Sequence, residues 1–138
     1  IRMCDRWGLS AVDLEQVPEK SQTIAYTRFV LDAGNSGDLL DLYVALAPCM
    51  IGYGEIGARL VDLQGDDNDY AEWINEYASL QYQELVQATI ANLDELAAHM
   101  MTEARYPQLK NLFGAATRLE SDFWQMGLDA AEPATANE

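Results

Sequence analysis

Chemistry in this 138-residue chain gathers on one cysteine, one carboxylate and three tyrosines. Cys49 lies in the apolar run 42–53, where Leu46, Cys49, Tyr53 and Ile56 share one stripe at 3.6 residues per turn. A thiol and a phenol four residues apart form a polar notch in an apolar wall, and a thiol placed there can serve as a nucleophile. Its competing role is that of a small core hydrophobe, since free cysteine is among the most buried residue types. Glu120 is the second anomaly. Phe113, Ala116, Phe123 and Trp124 share its helical face, so it either sits among rings or points into water from the edge of the stripe. Among rings, burial would penalise its charged form and raise its pKa, which suits a group that holds and delivers a proton. Tyr26, Tyr53 and Tyr77 fall on the apolar sides of three different predicted helices. Each alone fits a core tyrosine with a satisfied hydroxyl. Together with Cys49 and Glu120 they could line one flat cleft suited to an aromatic ring.

Other chemistries find little support. His99, the single histidine, falls beside Asn92, Glu95 and Glu103 on the polar side of its helix and is expected to be exposed. That leaves no obvious Cys-His pair, Ser-His-Asp set or Glu-x-x-His pair of the di-iron kind. No glycine-rich phosphate loop follows a strand. Cys4 and Cys49 make neither a disulfide framework nor metal-ligand spacing, and Met100 and Met101 read as core filler. No metal or cofactor is therefore expected. A cysteine nucleophile would be activated by the substrate, by a tyrosine or by Glu120.

The elements that must position these groups are all helical, with no strand-like alternation and no internal repeat. Residues 2–7 read as the end of a helix stopped by Gly8, and Pro18 prevents a helix from running straight through. Ser21 opens a helix ending at Gly34, with Ile24, Tyr26, Phe29, Val30 and Ala33 as its apolar face. Asn35-Ser36-Gly37 is turn chemistry, and Asp38 is a suitable N-cap for a helix running to about Leu63. Pro48 inside that helix removes a backbone hydrogen bond and predicts a kink beside Cys49. Gly52, Gly54 and Gly57 lower its propensity but permit close approach of a backbone or ligand. A short helix follows from Asp69 with Tyr70, Trp73, Ile74 and Tyr77 as apolar members. A long amphipathic helix spans about 79–104, and a last one starts at Tyr106-Pro107. One helical domain over 1–129 is expected, with 130–138 as a tail.

Lys and Arg number 8 against 23 Asp and Glu, a net charge of −15, which argues against nucleic acid or an anionic membrane as partner. The run 42–53 is too short to span a bilayer, no signal peptide is visible, and a reducing cytoplasm is the default compartment.

In order and spacing, AYTRFV, LAPCMIGYGEIG, EWINEYAS and RLESDFWQMG resemble the signature blocks of the TenA family, also called thiaminase II or aminopyrimidine aminohydrolase. The likeness runs from about Trp7 to Gly127, and the pairing of PC-x-x-x-Y with a late LE-x-x-FW block is specific. The resemblance implies an all-α, haem-oxygenase-like bundle used without haem. It implies hydrolysis of an aminomethyl-pyrimidine, or of thiamin, to 4-amino-5-hydroxymethyl-2-methylpyrimidine for thiamine salvage. By motif, Cys49 matches the nucleophile that adds to the ring, Glu120 the proton-managing acid, and Tyr26, Tyr53 and Tyr77 the tyrosines around the ring. The cysteine places the chain with the cysteine-type branch, and the family implies a homo-oligomer, tetramer or dimer. Family members carry an additional N-terminal helical segment with an aspartate on the aminopyrimidine edge, which nothing in residues 1–20 matches. Two alternative readings accompany this one: a catalytically silent truncated relative that binds a pyrimidine or oligomerises, and a haem- or di-iron-binding protein of the same architecture.

Overall fold

A computed structural model describes residues 2–65 and 67–131, and among these the chain is all α-helix. Two short helices, α1 (Arg2–Arg6) and α2 (Ala11–Gln16), lead into α3 (Ser21–Ser36) and α4 (Leu39–Leu60). The short α5 (Ala71–Ala78) is followed by α6 (Leu80–Met100) and α7 (Tyr106–Ala131).

The axis of the bundle is α4, packed against α3, α5, α6 and α7. It starts at Asp38, whose side chain accepts from the backbone N–H groups of Leu40 (2.9 Å) and Asp41 (3.2 Å), while the Asp41 side chain accepts from the Asp38 N–H (3.0 Å). This reciprocal cap satisfies otherwise orphaned donors and contributes about 1 kcal/mol. Arg105, just before α7, reaches back to the same turn, with Nη1 2.7 Å from Asp38 and Nη2 2.5 Å from Asp41. The start of α4 is thereby tied to the start of α7. Leu40, Ala45 and Ala47 of α4 are buried with Ala33, Ile74, Val86, Leu109 and Ala116 from the surrounding helices. By length and composition α4 could cross a membrane, a longer apolar element than the run 42–53 alone, yet here it is the inner helix of the bundle.

Two glycines set how closely α4 meets its neighbours. A Cβ on Gly57 would lie 2.7–2.9 Å from the Tyr77 side chain and the Tyr77–Ala78 backbone, and one on Gly54 would lie 2.6 Å from Val86. The predicted close approach is thus of backbone at Gly57 and of a side chain at Gly54.

Several boundaries differ from expectation. Helix α3 runs through Asn35 and Ser36, where the Ser36 hydroxyl donates to Asp32 instead of breaking the turn. Helix α4 stops at Leu60, and α6 stops at Met100, four residues early, because Thr102 forms a turn accepting from the Arg105 N–H. Helix α2 was not foreseen. It has a capping box of its own, Ser10 with Asp13, but no buried residue and so no apolar periodicity to betray it. Ile24, Tyr70 and Phe113, assigned to apolar faces, are exposed. Helix α7 takes in Ala130 and Ala131, and the rest of the expected tail, 132–138, lies outside the described residues.

Candidate active site

Four helices deliver the predicted residues: Tyr26 from α3, Cys49 and Tyr53 from α4, Tyr77 from α5 and Glu120 from α7. Glu120 does not point into water; it is 7% exposed. The Tyr53 hydroxyl donates to its Oε1 at 2.5 Å, while Oε2 is buried without a partner. Among the described residues no Lys or Arg pairs with this carboxylate. Burying an acid with one phenol and no counter-ion is costly, which marks Glu120 as retained for something other than stability.

Tyr26 is 9% exposed, and its hydroxyl is a second buried atom without a hydrogen bond of good geometry. Burial pushes this phenol well above its ordinary range, and Cys49 and Glu120 push it further the same way. Sulfur and carboxylate, seventy-one positions apart in sequence, therefore act on the same hydroxyl. Tyr53 is raised too, first by burial, then by its hydrogen bond to Glu120 and by the charges of Glu120 and Cys49. Both phenols stay protonated at neutral pH. They act as donors, and neither is the base that would ionise a thiol. Cys49 is half-buried, and its thiol donates to the Leu46 carbonyl of its own helix at 3.1 Å.

An aromatic cluster braces these groups. The Tyr53 ring meets Trp73, Tyr77 and Trp124 edge-on at centroid separations of 5.9, 5.2 and 5.6 Å. Tyr77 continues to Tyr82 at 4.7 Å, and Tyr26 faces Phe123 at 6.4 Å. Such tilted and T-shaped pairs fix ring orientation through their quadrupoles. Trp73 and Tyr82 were not singled out as site residues from the sequence. The signal available was helical spacing, since Trp73 and Tyr77 stand four apart on one face.

Between α4 and α7 lies a groove of about 370 Å³, lined by Pro48, Ile51, Gly52, Glu55, Thr117 and Trp124 among others. Of the five predicted residues, Tyr53 and Glu120 line it; Tyr26, Cys49 and Tyr77 do not. Tyr53 and Glu120 wall the groove, and Cys49 and Glu120 both raise the Tyr26 phenol. No set of His, Cys, Asp and Glu among the described residues is grouped to hold a metal, and His99 is exposed on α6. What the arrangement can do is add a thiol to a ring and manage protons with one buried acid.

A profile of the TENA/THI-4/PQQC family matches residues 1–130. The chain belongs to this family. A protein of Halalkalibacterium halodurans named aminopyrimidine aminohydrolase is 39% identical over 123 residues, covering 88% of this chain and 54% of the relative. An uncharacterized Haemophilus influenzae protein is 35% identical over 133 residues, 95% of this chain and 61% of its own. Among solved structures, one from Silicibacter sp. TM1040, described as a TenA family transcription regulator, superposes with a TM-score of 0.84 at 43% identity, over 92% of this chain and 58% of the other. A TenA homologue from P. horikoshii gives 0.79 at 25% identity, over 91% and 58%. The chain therefore spans between 54% and 61% of the length of these TenA relatives.

Proposed function

We propose that this TenA chain carries the catalytic centre of an aminopyrimidine aminohydrolase of the thiaminase II type. Its substrate would be an aminomethyl-pyrimidine or thiamin, and its product, 4-amino-5-hydroxymethyl-2-methylpyrimidine, would enter thiamine salvage. The observation that carries the reading is the buried Glu120, held by Tyr53 on one oxygen and without a partner on the other, beside a buried Tyr26 phenol that Cys49 and Glu120 both raise. In this scheme the Cys49 sulfur adds to the pyrimidine ring as the ring takes up a proton, and the amine departs from the exocyclic methylene carrying a proton. Water then adds to that methylene and loses a proton to Glu120, and the ring expels the thiol. Net, one water is consumed and the amine is exchanged for a hydroxyl. Tyr53 orients Glu120, and Tyr26 supplies a hydrogen-bond donor to the ring or the sulfur. Homo-oligomerisation and action in the cytoplasm go with the same reading.

Replacing Cys49 by Ala should lower hydrolysis of an aminomethyl-pyrimidine by about a thousandfold or more while ligand binding persists. Undiminished turnover would show that Cys49 is not the nucleophile. A second reading, a pyrimidine-binding relative without turnover, is favoured by one observation: the groove is walled by Tyr53 and Glu120 but not by Cys49. In that case the unaltered chain binds a pyrimidine by calorimetry and hydrolyses none.

A further inference from the structure

Helix α4 is weakest as a rod where its chemistry sits. Pro48 lacks an N–H, so the carbonyl of Val44 loses its intrahelical partner immediately before Cys49. Gly52 and Gly54 follow, each lowering helix propensity. Gly54 and Gly57 present no side chains toward α5 and α6, and Val86 and Tyr77 occupy the notches they leave. A site holding a sulfur on α4 against a carboxylate on α7 requires the register and rotation of α4 to be fixed closely.

Helix α6 adds directional bonds to this packing. The Tyr82 hydroxyl donates to the Met50 carbonyl at 3.1 Å, and the Gln83 side-chain amide donates to the Gly54 carbonyl at 3.0 Å. These two acceptors are one helical turn apart. They bracket Tyr53, and the first belongs to the residue after Cys49. The same Gln83 nitrogen also donates to the Tyr77 carbonyl at 2.9 Å, so one amide binds the end of α5 to α4. Tyr82 packs edge-on against Tyr77, which packs edge-on against Tyr53.

We propose that Tyr82 and Gln83 are positioning residues that fix the axial register and rotation of α4, and with it the placement of Cys49 and Tyr53 relative to Glu120. Neither reaches the groove or Glu120; they act through the α4 backbone. The kinetic consequence rests on the hydrolase reading above, but the geometric one does not, because the reactivity of the Cys49 thiol reports its placement with or without turnover.

The test compares Tyr82→Phe and Gln83→Met with Leu109→Ala, a buried α7 substitution three turns from Glu120 that costs stability without touching these bonds. Iodoacetamide alkylation is followed by peptide mass analysis at Cys49, with Cys4 as internal reference. Loss of either α6 bond should speed Cys49 alkylation about threefold or more, leaving Cys4 unchanged. With an aminomethyl-pyrimidine substrate, kcat should fall roughly tenfold while KM stays within about twofold, since only placement is disturbed. Leu109→Ala should lower the melting temperature at least as much yet leave both readouts as in the unaltered chain. If Tyr82→Phe and Gln83→Met do not differ from Leu109→Ala in Cys49 alkylation, the positioning role is overturned. If the unaltered chain shows no turnover but the alkylation difference is present, the hydrolase reading fails and the positioning role stands.

Discussion

The two buried acids among the described residues of this TenA chain, Asp41 and Glu120, are almost equally enclosed, 4% and 7% exposed, and each leaves one carboxylate oxygen without a partner. Their surroundings differ in kind. Asp41 faces the Arg105 guanidinium and accepts a backbone N–H at the start of α4. Glu120 faces a neutral phenol, aromatic rings and a groove. The first arrangement neutralises charge and ties the start of α4 to the segment entering α7. The second leaves an acid with no Lys or Arg partner among the described residues, an arrangement suited to proton chemistry.

If that contrast is right, the two acids respond oppositely to substitution. The largest expected effect is on turnover: Glu120→Gln should reduce hydrolysis by about a hundredfold or more, the usual contribution of a positioned acid or base. The same change should leave thermal stability equal or improved, because no ion pair is lost and the Tyr53 hydroxyl keeps an acceptor. At the other acid, Arg105→Met strands Asp41 and should cost about 3 kcal/mol in urea unfolding. Activity per folded molecule should be retained. A Glu120→Gln protein that unfolds easily, or an Arg105→Met protein that folds stably but is inactive, would break the comparison.

Glycines sharpen it further. Gly57→Ala forces a methyl onto the Tyr77–Ala78 backbone and should cost about 2 kcal/mol, as over-packing does. Gly52 has nothing within 4 Å of where a Cβ would stand. Gly52→Ala should therefore stabilise α4 by about 0.5 kcal/mol, while the added methyl enters the groove and weakens ligand binding measured by calorimetry.

The smallest effect concerns pH. Asp38 is held at about 2, below its ordinary 3.8, first by its hydrogen bond to Arg105. A lowered carboxylate contributes its full stability above the unfolded value, so the contribution fades as pH falls from about 3.8 through about 2. With the Asp38 side chain 37% exposed, solvent screening keeps this below about 1 kcal/mol. Circular dichroism during acid unfolding should show a shallower slope in that window for Arg105→Met than for the unaltered chain.

Local chemistry in the sequence announced much of the scaffold. Asp38 before an apolar run, Pro107 in the first turn of α7 and Gly54 and Gly57 within α4 each carry their meaning in a few neighbouring residues. Helical periodicity placed Glu120 beside Phe123 and Trp124, and left open whether it faced water. Only packing decides that, because the answer depends on how far α4 lies from α7. The Arg105 clip was not legible, since Asp41 lies sixty-four positions away and reads locally as a simple capping partner. Tyr82 and Gln83 escaped for a related reason: their partners are backbone carbonyls of another helix, which carry no side-chain signal. Which of the five residues meet the groove was not legible either, because that depends on how the face of α4 bearing Pro48 and Gly52 is turned toward α7.

Tyr53 carries a consequence of its own. Its ring is braced by two indoles and a phenol, and those contacts hold its orientation whether or not it bears oxygen. A phenylalanine in its place would keep every edge-to-face neighbour and delete a single atom, the one touching Glu120. The molecule thus separates shape from protonation at that position, and a one-atom excision there isolates what that oxygen contributes to the carboxylate.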